Sequence, residues 1–248
     1  MQLLTESRTD APSLTQLRVK IFADGADEKS ILALVENPIV QGFTTNPTLM
    51  RAAGVRDYES FARRILQLVR DKPISFEVFA DEFSEMERQA RRIASWADCV
   101  YVKIPITNTR GESSARLLRR LSGDGIKVNV TALLTLEQVR TATEQLAGGP
   151  PSYISLFAGR IADTGRDPEP MVQEALQIMA PHANLEMIWA SPREILNVIQ
   201  ADRVGCHVIT VTPDLLKKLP TVGRDLGEFS LDTVKMFHRD AGAAGYRL

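Results

Sequence analysis

Short apolar, β-branched runs alternate with longer stretches of helical period along the chain. The runs are LRVKIFAD (17–24), IVQGFTTN (39–46), ISFEVFAD (74–81), CVYVKIPIT (99–107), KVNVTALL (127–134), YISLFAGRI (153–161), EMIWAS (186–191) and HVITVT (207–212). Runs of this length and composition predict strands, eight of them. A marker near each end (Asp24, Asn46, Glu77, Lys103, Thr131, Phe157, Ser191, Thr210) recurs after 22, 31, 26, 28, 26, 34 and 19 residues. A strand with its crossover helix takes roughly 30 residues, so the spacing is that of successive βα units.

The stretches between them carry helix signals. In DYESFARRILQLVRD, Phe61, Ile65, Leu68 and Val69 share one helical face. Ser84-x-x-Glu87 and Thr135-x-x-Gln138 have the form of capping boxes, each followed by an apolar stripe. Gly148, Gly149, Pro150 and Pro151 end the second of these helices. Pro192 in SPREILNVIQ suits a helix start, where a missing N–H costs nothing. Eight strands alternating with helices predict an α/β fold, a single (β/α)8 TIM barrel. The alternative is a doubly wound open sheet, which would usually carry a Gly-rich loop after the first strand; ADGADEKS is not one. One domain is expected over 1–248, with the barrel over about 17–222. An extra amphipathic C-terminal helix over about 230–248 is expected to pack on the barrel or on a neighbouring subunit.

Composition narrows the function. The chain has 248 residues, 44% hydrophobic and 25% charged, with 30 Lys+Arg against 31 Asp+Glu. That is ordinary for a soluble globular protein and excludes a global basic field for nucleic acid. Two cysteines, Cys99 and Cys206, exclude a disulfide scaffold and a Cys-rich zinc site. No apolar run reaches ~18 residues, so no transmembrane helix is expected. The N-terminus MQLLTESRTDAPS lacks a signal-peptide core. The expectation is a cytoplasmic protein with no metal and no membrane partner.

A barrel carries its chemistry at the C-terminal ends of its strands. Lys103 sits inside the apolar VYVKIPI. Desolvation disfavours an ammonium, and a neutral amine is what a Schiff-base nucleophile must be. A lysine paired with a carboxylate, or one that snorkels to the surface, is an equally open reading. Asp24 and Glu77 end strands 1 and 3, and two acids facing one lysine can divide proton work. Either could instead be a helix cap or an ion-pair partner, although Asp27 also stands ready to cap the helix after Asp24. Arg160, Ser191 and Arg193 follow strands 6 and 7. Arginines there suit a phosphate or carboxylate, and a helix starting at Pro192 would add its N-terminus for the same anion. Asn46 before Pro47 could be only a turn residue. Asn129 and Thr131 share one face of strand 5.

Taken together, GFTTNPTLM, FEVFAD, VYVKIPIT, GIKVNVTALL, YISLFAGRIAD and IWASPRE resemble the barrel strands of the transaldolase family. The resemblance is to its short branch, which includes fructose-6-phosphate aldolase, and runs over about residues 18–220. It implies a Schiff base at Lys103, with Asp24 as acid/base at the donor hydroxyls. Glu77 and Thr131 would hold the water that moves protons to and from the imine. Thr45, Asn46, Asn129, Ser155 and Phe157 would line the donor site, with Asn46 and Asn129 on its hydroxyls and Ser155 on the dihydroxyacetone part. Arg160, Ser191 and Arg193 would hold the phosphate. No cofactor is implied.

In the branch, aldolases tend to carry Gln at Glu77 and Tyr at Phe157, so this pair resembles the transaldolases. The implied activity is transfer of dihydroxyacetone from fructose 6-phosphate or sedoheptulose 7-phosphate to an aldose phosphate, as in the pentose phosphate pathway. The alternatives are release of free dihydroxyacetone, or sugar-phosphate binding without turnover. Gly25 beside Asp24, Pro192 after Ser191 and the polar insert TNTRGESS depart from the family pattern and bear on the acceptor. The C-terminal helix resembles one that pairs subunits, which implies a homo-oligomer, a pentamer or decamer.

Overall fold

Each of the eight runs forms a strand, and the strands close on themselves in chain order. They are β1 (Lys20–Asp24), β2 (Val40–Thr44), β3 (Ile74–Glu77), β4 (Val100–Pro105), β5 (Val128–Leu133), β6 (Ser152–Leu156), β7 (Leu185–Trp189) and β8 (Val208–Val211), all parallel. Between and after them lie α1 (Glu28–Val35), α2 (Pro47–Ala52), α3 (Tyr58–Leu68), α4 (Phe83–Ala94), α5 (Ala115–Gly123), α6 (Leu136–Leu146), α7 (Ala158–Ala162), α8 (Glu169–Met179), α9 (Leu196–Arg203), α10 (Pro213–Leu216) and α11 (Leu226–Ala244). The fold is the (β/α)8 barrel that the strand spacing predicts, with a C-terminal helix. The computed structural model describes residues 14–25, 27–69 and 71–247. The N-terminal stretch read above as lacking a signal core lies outside them.

Strand periodicity sorts the side chains. Val102 and Ile104 on β4 are fully buried under the helices, while Tyr101 and Lys103 take the alternate positions. Phe22, Tyr153, Ile188 and Val208 form one buried cluster, with Tyr101 and Phe157 packed against it. Phe22 lies so close to β2 that a Cβ on Gly42 would come within 2.6 Å of its ring, so only glycine fits there. One layer nearer the strand ends, the register pairs Glu77 with Lys103 and Lys103 with Asn129. Three ionisable or amide side chains thus arrive side by side because their strands are in register.

Several boundaries differ from the expectation. The YISLFAGRI run does not stay extended to 161: β6 ends at Leu156, and Ala158–Ala162 turn into α7, which carries Arg160. The helix expected at Pro192 begins at Leu196 instead. The Asn197 side chain accepts from the amides of Arg193 (2.7 Å) and Glu194 (3.2 Å), so a side chain rather than a helical turn satisfies these donors. Ser84 caps nothing: α4 starts one residue earlier, after Glu82, without a side-chain cap. The Thr135/Gln138 capping box is present.

The polar insert after β4 closes on itself through a Thr107–Ser113 bridge. Its Thr109 amide bonds Asp81 at 2.7 Å, and Arg110 pairs with Asp81, Glu82 and Glu112. The segment therefore clasps the loop that follows β3.

The described chain divides into two compact units, Leu17–Lys217 with the barrel and a second that includes Lys218 onward. In the second, α11 starts earlier than the expected 230. Asp225 caps it by accepting from the Glu228 amide at 2.9 Å, and it ends at Gly245 in the left-handed region. Arg224 pairs with Asp232 and lies over the Phe229 ring. No helix among the described residues is long and apolar enough to cross a membrane.

Candidate active site

The C-terminal ends of the strands surround a cavity of about 590 Å³, within the range of ligand-binding clefts. Asp24, Asn46, Glu77, Lys103, Asn129, Thr131, Ser155, Phe157, Arg160, Ser191 and Arg193 all line it. Of the residues expected at the site, Thr45 alone does not. Its hydroxyl donates to the Ser75 carbonyl at 2.9 Å, and it is completely buried. Strand alternation is the reason: with Thr44 turned inward, its neighbour faces the helices. The Thr45 carbonyl, however, accepts a hydrogen bond from Lys103 Nζ at 2.9 Å.

Lys103 is the floor of the site. Its side chain is 9% exposed, and its Nζ lies 3.3 Å from Glu77 Oε2. A lysine buried to this degree needs a partner, and the in-register position on β3 supplies it. The carboxylate pairing left open by the sequence is therefore real, and it occurs inside the cavity rather than on the surface. Asn129, fully buried, donates from Nδ2 to Ser75 Oγ at 3.0 Å and accepts at Oδ1 from Ser155 at 2.7 Å. That pair of bonds fixes which way its amide faces across strands β3, β5 and β6.

Asp24 stands on the opposite wall. Asp27 caps α1 by accepting from the Ser30 amide, which leaves Asp24 free of that duty. Thr44 Oγ1 donates to Asp24 Oδ1 at 2.8 Å, and Asn46 Nδ2 lies 3.4 Å from Oδ2. Burial pushes the Asp24 carboxyl above its usual range, opposed by the Lys103 charge and by the bonds from Thr44 and Asn46. Asn46 does two jobs at once, since its Oδ1 also caps α2 at the Leu49 amide.

The far rim holds the arginines. Arg160 lies over the Phe157 ring, 5.7 Å from its centre, and makes no ion pair among the described residues. Arg193 is bound bidentately by Asp163, with Nε 2.9 Å from Oδ1 and Nη2 2.5 Å from Oδ2. Gly159 makes this corner possible: a Cβ there would meet the Ser191 carbonyl oxygen at 1.6 Å. The two non-glycine residues found in the left-handed region among those described, Ala132 (φ 65°) and Ser191 (φ 62°), both line the cavity. Such backbone costs about 1–3 kcal/mol and clusters where function constrains the chain. Among the described residues, no group of three or more His, Cys, Asp or Glu is placed to hold a metal ion.

The family model described as Transaldolase/Fructose-6-phosphate aldolase matches residues 21–246. The chain belongs to that family. A "Probable transaldolase" of Streptococcus equi subsp. equi is 38% identical over 202 residues, 81% of this chain and 90% of the relative. One of Lactiplantibacillus plantarum is 35% identical over 218 residues, 86% of this chain and 96% of the relative. Among solved structures, KGPDC from Streptococcus mutans aligns with a TM-score of 0.55 at 11% identity, over 82% of this chain and 91% of that one. At that identity the likeness is one of fold alone.

Three residues of this transaldolase/fructose-6-phosphate aldolase family member bond groups of the site without having been expected there. Thr210 on β8 shares a hydrogen bond with Thr44, extending the chain of hydroxyls behind Asp24. Ser75 orients Asn129. Tyr58 on α3 bonds the backbone of Glu77. The alternation of β3 and β8 was the available signal for Ser75 and Thr210. Tyr58 gives none, because its partner is a main-chain group 19 residues away.

Proposed function

We propose that this family member is a transaldolase working through an imine on Lys103. The observation that carries the reading is the buried Lys103 Nζ, 3.3 Å from Glu77 and facing Asp24 across one cavity. The Lys103 amine attacks C2 of a ketose phosphate, fructose 6-phosphate or sedoheptulose 7-phosphate. The carbinolamine loses water, with Glu77 and Thr131 holding the water that carries the proton. Asp24 takes the proton of the C4 hydroxyl, C3–C4 breaks, and the electron pair moves into the imine. An aldose phosphate leaves with its new carbonyl at C4. A three-carbon enamine stays on Lys103 until an acceptor aldehyde takes it up and Asp24 returns the proton.

A carboxylate deprived of hydration is a stronger base than a free one, which suits Asp24 as its burial presents it. Asn46, Asn129 and Ser155 bind the donor hydroxyls, and Phe157 walls the donor site. Ser191, Arg160 and Arg193 hold the phosphate. Arg193 reaches it while braced by Asp163. The Glu77 and Phe157 pair supports transfer over release of free dihydroxyacetone.

Borohydride reduction during incubation with fructose 6-phosphate is expected to leave a three-carbon adduct on Lys103, found by intact mass and peptide mapping. Fructose in its place gives at least about tenfold less adduct, because two arginines lose their anion. Product release that needs no acceptor would point to an aldolase. An unmodified Lys103 with every ketose phosphate tried would point to a barrel that binds without turnover.

We also propose a homo-oligomer assembled through α11, on which Leu226, Phe229, Val234 and Phe237 are exposed. Apolar surface of this kind marks interaction sites. Sedimentation is expected to give a multiple of the 27.5 kDa chain, five or ten copies; a stable monomer counts against it. The proposed compartment is the cytoplasm, where thiols such as Cys99 and Cys206 stay reduced; cell fractionation reads this directly.

A further inference from the structure

Glu77 lies where the barrel wall is incomplete. On one side β3 is well supported: Glu77 registers with Lys103, and the Val78 amide donates to the Lys103 carbonyl at 3.1 Å. On the other side β2 pairs with β3 only through Phe43–Ile74 and Thr44–Ser75. The last bond on that edge runs from the Thr45 amide to the Ser75 carbonyl at 3.1 Å. The chain then turns away at Asn46 into α2, with Pro47, which has no N–H, as its first residue. Backbone groups in a parallel strand bond alternately to the two neighbours. The N–H and C=O of Glu77 therefore face an edge with no strand opposite.

The Tyr58 hydroxyl fills that gap. It accepts from the Glu77 N–H at 2.8 Å and donates to the Glu77 carbonyl at 2.9 Å. A phenol can do both at once, as one residue of a missing strand would. Its ring is held by edge contacts with Phe76 and Phe79 and a tilted one with Trp96, at centroid distances of 6.3, 5.3 and 5.9 Å. Burial pushes the phenol further up, so it keeps its proton and remains a donor. Beyond Val78, the amides of Phe79 and Ala80 are both held by the Gln89 side chain on α4.

We propose that Tyr58 is a positioning residue for the reaction: by bracketing the Glu77 peptide from outside the barrel it holds the Glu77 carboxylate against Lys103. The mechanistic part rests on the reading of Lys103 as the imine-forming lysine; the bracketing does not. Tyr58→Phe keeps the ring and its packing and removes the bracket, together with the hydroxyl's contact with the Thr45 side chain. The variant is expected to speed amide hydrogen exchange at Glu77 at least tenfold, while Val78, bonded to Lys103, keeps its protection. Its kcat is expected to fall five- to fiftyfold, with the KM for fructose 6-phosphate within twofold and borohydride trapping slowed in parallel.

Tyr101→Phe removes a hydroxyl from a half-buried ring near the other end of β4 and serves as the control, with kcat within twofold of the parent. A folded Tyr58→Phe protein with parental kcat, or one changed in KM alone, overturns the positioning role. Unchanged exchange at Glu77 overturns the bracket itself. Should the parent protein form no adduct with any ketose phosphate, the imine reading fails, and the exchange comparison still decides whether Tyr58 fixes Glu77. Should Tyr58→Phe not fold, Phe79→Ala, which loosens the ring without removing the hydroxyl, is expected to show the same exchange pattern at Glu77 in weaker form; unchanged exchange there again overturns the bracket.

Discussion

Lys103→Arg is expected to abolish turnover, by on the order of ten-thousand-fold or more, while leaving a folded barrel that still binds sugar phosphate. Arginine keeps a positive charge between Glu77 and the Thr45 carbonyl, the two groups that Lys103 now bonds. The carboxylate therefore stays paired, and the penalty for an orphaned buried charge, about 3–5 kcal/mol when one partner is removed outright, is avoided. What arginine cannot do is lose its proton and form an imine. The variant thus separates the charge of Lys103 from its nucleophilicity. Initial rates with fructose 6-phosphate and an acceptor aldose phosphate read the lost nucleophilicity, and calorimetric titration with the donor reads the binding that the retained charge supports. Donor affinity within about tenfold of the parent is expected, because the arginine rim at α7 and after β7 is untouched. Turnover that survives within tenfold would remove Lys103 from the chemistry and with it the transaldolase reading.

Much of this site could be read from the chain because strand periodicity converts sequence position into direction. Glu77, Lys103 and Asn129 meet because β3, β4 and β5 run in register, and each stands at the same phase of its strand. The same alternation argues against Thr45 in the donor site: Thr44 registers with Asp24 and faces inward, so its neighbour cannot. The errors have a different source. Whether YISLFAGRI stays extended, and whether Pro192 opens a helix, depends on groups that sequence does not bring near. Gly159 packs under the Ser191 carbonyl, and Asn197 takes the amides that a helix start would otherwise leave open. Ser84 has the spacing of a cap but lies inside the first turn of α4. Tyr58 was invisible for the reason that makes it useful, since it completes a backbone ladder rather than a side-chain pattern.

Asp24→Asn is the second large effect, and it carries opposite signs for activity and stability. In the proposed reaction Asp24 acts on the C4 hydroxyl, after the imine has formed. Loss of a general base costs about 10²–10⁴ in rate, and the block falls between imine formation and C–C cleavage. Borohydride trapping of this variant with fructose 6-phosphate is therefore expected to leave the intact six-carbon phosphate on Lys103 in place of the three-carbon unit. A three-carbon adduct formed at the parental rate would assign the base elsewhere.

Stability moves the other way. Burial raises the Asp24 carboxyl above its ordinary value of 3.8, against the pull of Lys103, Thr44 and Asn46. The folded protein thus holds this proton to higher pH than the unfolded chain does. Its contribution is fully present below 3.8 and is lost as pH rises through the folded value. Asparagine has no proton to lose, and its Oδ1 still accepts from Thr44. The difference in melting temperature between variant and parent is expected to be near zero below pH 3.8 and to grow in the variant's favour as pH climbs above it. It should level off once Asp24 is ionised in both states of the parent. A buried polar penalty of about 1–3 kcal/mol, at roughly 2–4 °C per kcal/mol for a chain of this size, sets the scale at a few degrees. Melting curves for the two proteins from below pH 3.8 up to neutral pH read it directly. A variant less stable than the parent throughout would mean that Asp24 stabilises the barrel instead of being held there, against its own ionisation, for the reaction.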